Sequence, residues 1–338
     1  MSIIKIGLVG YGYWGPNLIR NFKKHKFIKP TYVCDLNQNN LNKVLSDHDD
    51  MSITTDINII LNNDDIDAVA IATPVSTHYS LIKKSLLSGK HVWIEKPMTN
   101  CYESALELVN IAKEKNLILM CDHTYCYHPA VTKIKNLIDD ELFSGDLLYI
   151  DSTRINLGII QHDINVIWDL IPHDLSIINY ILQNTNKKIS KVSASAFDLL
   201  NTGHESIANI TLYFDDNCIS YINLNWLSPV KVRKMMIGMT KKMIIWDDIN
   251  PDEKIKIYDK GISVYNDTTE AFISYRNGDI NIPKIDNQEP LFCAVDDFYN
   301  SIINKKKPIT NDVFSAEIVN IIEKIIISVN KSGAIIEI

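Results

Sequence analysis

Ile3-Ile4-Lys5-Ile6-Gly7-Leu8-Val9-Gly10-Tyr11-Gly12-Tyr13-Trp14-Gly15 is the stretch whose reading decides the fold. A near-continuous apolar run ends in three glycines spaced G-x-G-x-x-G. Asn17 to Phe22 follows with helical periodicity. This reads as a buried parallel strand, a tight turn and a helix start. Gly10 makes the turn, Gly12 lets a pyrophosphate approach the backbone, and Gly15 packs helix against strand. The free N–H groups and the positive end of the helix dipole then face the phosphates.

The next crossover strengthens the reading. Pro30-Thr31-Tyr32-Val33-Cys34-Asp35 reads as a second strand that ends in an acid. Asp35 stands where a carboxylate binds the ribose hydroxyls of a dinucleotide. Leu36-Asn37-Gln38-Asn39-Asn40 follows without an arginine, so a 2′-phosphate finds no cation and NAD is favoured over NADP.

Alternation continues outward from that unit. A short helix is predicted over 41–45 and a strand over 65–72, stopped by Thr73-Pro74, since proline cannot donate into a ladder. Ser76 or Thr77 is expected to cap the next helix, and Gly89 to end it. His91 to Glu95 and Leu117 to Cys121 read as strands. Asn100 and Glu103 suggest a capping box ahead of a helix over 105–115. Strands alternating with helices predict a doubly wound parallel sheet.

Beyond His123 the pattern changes. Helices are predicted over 129–138 and 165–182. Strands are expected over 147–155, 191–196, 208–214, 219–227, 231–239, 243–247 and 254–258. Short polar connections between them suggest an antiparallel sheet. Apolar helices over 292–303 and 314–329 follow. The expected organisation is a dinucleotide-binding domain, 1–122, and a second α/β domain, 123–338. The last helix is allowed to pack back on the first domain.

Composition excludes several classes. The 338 residues include 34 Lys and Arg against 41 Asp and Glu, a formal charge of −7 with no long basic block. A nucleic-acid partner is not expected. Neither a secretory leader nor a membrane-spanning run is predicted. The six cysteines form no C-x-x-C pair, which suggests a reducing, cytoplasmic setting.

Residues at the carboxyl ends of the strands carry the candidate chemistry. Lys96, in Glu95-Lys96-Pro97, is expected to point into a crevice between the domains, donate to a substrate oxygen and stabilise charge on it. Asp169 and His173 are spaced i, i+4, and a histidine beside a carboxylate suits a general base. Pro172 either kinks or starts their helix. His78 either touches a nicotinamide ribose or caps its helix. Arg154, near Asn156, suits a phosphate or a carboxylate, or is a sheet-surface charge. Lys231 and Arg233 form a second cationic patch. A zinc site of Asp169, His173 and His162 lacks a supporting cysteine or H-E-x-x-H pattern. No G-x-S-x-G elbow favours hydrolysis.

In order, these motifs resemble the glucose–fructose oxidoreductase/inositol dehydrogenase (Gfo/Idh/MocA) family. The resemblance rests on the glycine turn, Asp35, Thr73-Pro74-Val75-Ser76-Thr77-His78, Glu95-Lys96-Pro97 and Asp169-x-x-x-His173. It implies a Rossmann domain followed by a domain with a large open, mostly antiparallel sheet, through which subunits pair as homodimers or homotetramers. Lys96, Asp169 and His173 match the family's catalytic residues. The implied cofactor set is Gly10, Gly12, Tyr13, Trp14, Gly15, Asp35, Thr73, Pro74, His78, Glu95 and Lys96. Arg154 and Asn156 join the catalytic three at the substrate.

The stretches Thr153 to Gly158 and Ile167 to Ser176 resemble the nucleotide-sugar branch, such as UDP-N-acetylglucosamine 3-dehydrogenases. The branch implies NAD-dependent oxidation of a secondary hydroxyl, at C3 of a UDP-N-acetylhexosamine, in surface-polysaccharide sugar synthesis. His128 and Met239-Thr240 depart from its pattern. A ketoreductase, a polyol dehydrogenase and a non-catalytic NAD or sugar sensor are the alternatives.

Overall fold

The computed structural model describes residues 2–158, 160, 164–266 and 271–338. Cα packing divides the chain into two units: Met1–Tyr127 with Gln288–Asn320, and His128–Asn287 with Ile321–Ile338.

In the first unit, strands and helices alternate: β1 (Ile4–Val9), α1 (Gly15–Lys24), β2 (Ile28–Cys34), α2 (Gln38–Asp47), β3 (Ser52–Thr54), α3 (Ile57–Leu61), β4 (Ala68–Ile71), α4 (Val75–Leu87), β5 (His91–Glu95), α5 (Tyr102–Lys115) and β6 (Leu119–Asp122). The strands form one sheet in the order β3-β2-β1-β4-β5-β6, with every pairing parallel. β4 and β6 are buried along their whole length, which is why β4 reads as an unbroken apolar run and β6 as one up to Asp122. Trp93 on β5 meets Phe22 of α1 and Phe298 edge to face, at 5.7 and 5.6 Å between centroids. Each such pair contributes about 0.5–1.5 kcal/mol beyond its area. Phe298 lies in the returning segment 288–320, so the core explains why that segment belongs here.

Two capping expectations need correction. α4 has Pro74 at its N-cap and no side-chain cap. The Thr77 hydroxyl bonds Thr73 Oγ1 instead, at 2.7 Å. α5 begins at Tyr102 with Cys101 as N-cap, so Asn100 and Glu103 form no capping box. Cys101 is extended, and its side chain accepts from no N–H of the helix. Gly89, at φ +77°, does follow the end of α4.

The second unit holds α6 (Pro129–Asp139), α7 (Glu141–Ser144), β7 (Leu147–Leu157), α8 (Val166–Leu182), β8 (Ile189–Phe197), β9 (Ile207–Phe214), β10 (Ile219–Asn225), β11 (Leu227–Met239), β12 (Met243–Asp247), β13 (Ile255–Asn266) and β14 (Ala271–Asn281). α9 (Pro290–Asn304) then belongs to the first unit, and α10 (Asp312–Asn330) contributes to both. β15 (Ile336–Glu337) ends the chain's elements. The nine strands run β14-β13-β12-β11-β7-β10-β9-β8-β15. All pairings are antiparallel except β7 with β10. Burial alternates along β9 and β10, as a sheet covered on one face requires. α8 packs on that covered face.

Candidate active site

At the carboxyl end of β1 the chain turns through Gly10 at φ +92°. A Cβ there would stand 2.5 Å from the Ala72 carbonyl oxygen. Gly12 differs, because a Cβ there would meet nothing within 4 Å. Its backbone is open to a ligand. A Cβ on Gly15 would lie 2.9 Å from the Gly10 oxygen, which is the close packing expected of the third glycine. Trp14 is the N-cap of α1, and no side chain satisfies the first N–H groups. Tyr13 is exposed.

Asp35 binds this turn to the end of β2. Its Oδ2 accepts from the Tyr11 N–H at 2.7 Å and from Asn40 Nδ2 at 3.1 Å. Oδ1 accepts from the Asn37 N–H at 2.7 Å. The open Gly12, the uncapped helix start and the neighbouring carboxylate fit the pyrophosphate and ribose of a dinucleotide.

His78, on α4, is buried. Its Nδ1 lies 2.9 Å from the Pro97 oxygen and its Nε2 2.8 Å from the Thr73 oxygen. The ring thus links the Thr73-Pro74 turn to the segment after β5, and burial pushes its pKa down. It is an internal brace rather than a cap. Lys96 follows Glu95 at the end of β5, and the Lys96–Pro97 bond is cis.

In the second unit, Asn165 caps α8 by accepting from the Trp168 N–H at 3.0 Å. Its amide donates to Glu205 at 2.7 Å, which anchors the helix to the loop between β8 and β9. Asp169 stands in the first turn, and Trp226 Nε1 donates to its Oδ2 at 3.2 Å. Trp226 is buried, so this bond fixes the carboxylate. Pro172 lies inside the helix, which runs through it to His173 and beyond.

Arg154 is buried on β7 and engages Asp174 through Nε at 2.6 Å, while Ser152 donates to the same carboxylate at 2.7 Å. The guanidinium therefore has a structural partner, which its place in a strand did not reveal. Asn156 follows on the same strand. His128 caps α6 and, with Arg233, lies near Asp248, each at 3.6 Å. The structure brings Gly10, Gly12, Gly15 and Asp35 together in one unit, and places Asp169, His173, Arg154 and Asn156 in the other. Sequence reading missed Asp122 and His123 beside Glu95, and Trp226 behind Asp169. The strand now known to end at Asp122 was expected to stop at Cys121. His162 lies outside the described residues. Among the described residues no cluster of His, Cys, Asp or Glu is arranged to hold a metal.

The parallel sheet, its glycine turn and Asp35 define a dinucleotide-binding protein of Rossmann type. Residues 4–123 match the model of the oxidoreductase family, NAD-binding Rossmann fold (Gfo/Idh/MocA), which supports NAD as the cofactor. An uncharacterized oxidoreductase of Streptococcus pneumoniae is 28% identical over 152 residues, 45% of this chain and 40% of that protein. The match therefore spans less than half of that relative's length. The UDP-N-acetylglucosamine 3-dehydrogenase of Acidithiobacillus ferrooxidans is 25% identical over 239 residues, 70% of this chain and 71% of that enzyme. Its solved structure superposes with a TM-score of 0.81 at 21% identity, covering 98% of this chain and 99% of the other. The two share the fold, including the second, mostly antiparallel sheet.

Proposed function

We propose that this protein is an NAD-dependent sugar dehydrogenase that oxidises a secondary hydroxyl of a nucleotide sugar, at C3 of a UDP-N-acetylhexosamine. The observation that carries the reading is the Asp169–His173 pair on one helix, with Asp169 held by the buried Trp226. The similarity to a UDP-N-acetylglucosamine 3-dehydrogenase supports the substrate class.

When bound, NAD would supply the acceptor for a hydride from the carbinol carbon. Gly12 and the start of α1 hold its pyrophosphate, and Asp35 its ribose. Lys96 donates a hydrogen bond to the reacting oxygen. His173 takes the hydroxyl proton as the carbonyl forms, and Asp169 orients the imidazole and stabilises its charged form. The ketone is then a substrate for amination, as in the synthesis of surface-polysaccharide sugars. The enzyme acts in the cytoplasm as a homodimer or homotetramer paired through the nine-stranded sheet. Among the described residues no helix is long and apolar enough to cross a membrane.

Turnover of UDP-N-acetylglucosamine with NAD tests the reading. NADH should form with the parent protein and fall sharply in Lys96→Met and His173→Asn. Tight NAD binding without turnover of any sugar nucleotide would indicate a sensor instead.

A further inference from the structure

α8 is apolar on most sides: Ile167, Ile171, Leu175, Ile178 and Leu182 are all among its buried residues. Apolar burial is non-directional, so it holds such a helix against a sheet without fixing its rotation or its register. The helix also carries a break in its own bonding. Pro172 lies inside it, after Asp169 and directly before His173. Proline has no N–H, so the Trp168 carbonyl receives no helical bond from residue 172, and the ring crowds that carbonyl. The turn that relates Asp169 to His173 is therefore the one in which the helix constrains itself least.

Two polar anchors stand on either side of that break. Before it, Trp226 Nε1 donates to Asp169 Oδ2 at 3.2 Å. Beyond it, Asp174 takes three bonds from β7. Arg154 donates from Nε to Oδ2 at 2.6 Å and from Nη2 to Oδ1 at 3.3 Å, and the Ser152 hydroxyl donates to Oδ1 at 2.7 Å. Ser152 and Arg154 are two apart on one strand, so both side chains leave the same face of the sheet. Asp174 and Ser152 are 2% exposed and Arg154 4%. A two-pronged guanidinium–carboxylate bond fixes direction as well as distance. Burying an ion pair strips water from both charges, and apolar groups of similar size often serve stability as well. What the pair adds over leucine and methionine is a single register between helix and strand. His173 directly precedes Asp174, so its backbone is fixed by the same bonds.

We propose that Asp174 is a positioning residue: through Arg154 and Ser152 it pins the part of α8 beyond Pro172, as Trp226 pins the part before it, so that Asp169 and His173 keep one mutual geometry. The catalytic use of that geometry rests on the dehydrogenase reading above, whereas the pinning of the helix does not.

The test uses the full-length protein. Arg154→Met together with Asp174→Leu removes both charges at once and fills their volume, so neither is left buried alone. The His173 imidazole resonance, identified by its loss in His173→Asn, should move or broaden in the double variant. Turnover of UDP-N-acetylglucosamine with NAD should fall on the order of 10²-fold in kcat, the cost of a misplacement of about 1 Å, with NAD affinity unchanged. Ser152→Ala deletes one hydroxyl and should shift the same resonance and lower kcat several-fold; Ser152→Thr should restore both. Circular dichroism establishes which variants fold, and if the double variant does not, the two Ser152 variants decide. A clamp that serves stability alone lowers the melting temperature but leaves the resonance and the kcat of the folded protein unmoved, and that result overturns the proposal. A shifted resonance with native kcat overturns it too. If the parent turns over no nucleotide sugar, the dehydrogenase reading fails, while the resonance still decides whether the helix is pinned.

Discussion

Replacing Gly10 and Gly12 separately by alanine should damage two different properties. At Gly10 the backbone is at φ +92°, and a Cβ would lie 2.5 Å from the Ala72 oxygen and 2.8 Å from its carbon. The left-handed backbone costs a non-glycine residue about 1–2 kcal/mol. Forcing β4 away from the turn adds about 1–3 kcal/mol of overpacking. A total on the order of 3 kcal/mol lowers the melting temperature by roughly 6–12 °C. At Gly12 the new methyl meets no protein atom. Stability should therefore change by less than about 0.5 kcal/mol. The methyl instead occupies the approach of the pyrophosphate. Losing one charge-assisted hydrogen bond, about 1.5–3 kcal/mol, weakens NAD binding roughly 10- to 150-fold. Thermal unfolding without cofactor and calorimetric titration with NAD separate the two effects. Native NAD affinity in Gly12→Ala would refute the assignment of the turn. So would equal melting losses in the two variants.

Four further outcomes follow from the same geometry. Asp35→Asn removes the charge from the carboxylate that accepts from Tyr11 and Asn37, and should weaken NAD binding about tenfold while narrowing its preference over NADP, measured by titration. Lys96→Met and His173→Asn should lower turnover about 10²- to 10⁴-fold with NAD affinity nearly unchanged, read as NADH formation. Trp226→Phe removes the indole hydrogen bond to Asp169 Oδ2 and should lower kcat several-fold with KM for NAD unaltered, at a stability cost of about 1 kcal/mol in urea unfolding. His123 titrates near 6.5 when unfolded and about 3 when folded, so the unfolded chain alone gains a proton as pH falls below 6.5. Stability contributed by the neutral ring is thus present above pH 6.5 and lost toward pH 3, at about 1.4 kcal/mol per pH unit. Relative to His123→Leu, the parent should lose about 2 kcal/mol between pH 7 and pH 5. A constant difference across that range would place the His123 titration elsewhere.

Much of the fold was legible because burial writes itself into the chain. β1, β4 and β5 are largely buried in the parallel sheet and therefore read as near-continuous apolar runs. The nine-stranded sheet is covered on one face, and its alternation gave most of its strands. What stayed hidden depends on contacts between distant segments. Pro74 and Cys101 became N-caps although neither side chain satisfies an N–H, so propensity pointed to Ser76 and Asn100 instead. The parallel pairing of β7 with β10 is set by the long excursion through α8, β8 and β9, which local pattern does not encode. Arg154 read either as a ligand-binding arginine or as a sheet-surface charge because its partner, Asp174, lies on another element. Asp122 escaped notice because one residue of strand length decides whether it faces Glu95. The return of residues 288–320 to the first unit follows from Phe298 against Trp93 and from the Thr310 hydroxyl on the Cys121 oxygen at 2.6 Å. No local signal announces such packing.

The central claim is most directly tested by following NADH absorbance when the purified protein meets NAD and a panel of sugar nucleotides and free sugars. UDP-N-acetylglucosamine or its C4 epimer should give NADH and a 3-keto product identified by mass spectrometry after trapping of the carbonyl. NADH formed only with a free polyol, or no NADH with any compound despite tight NAD binding, would contradict the account.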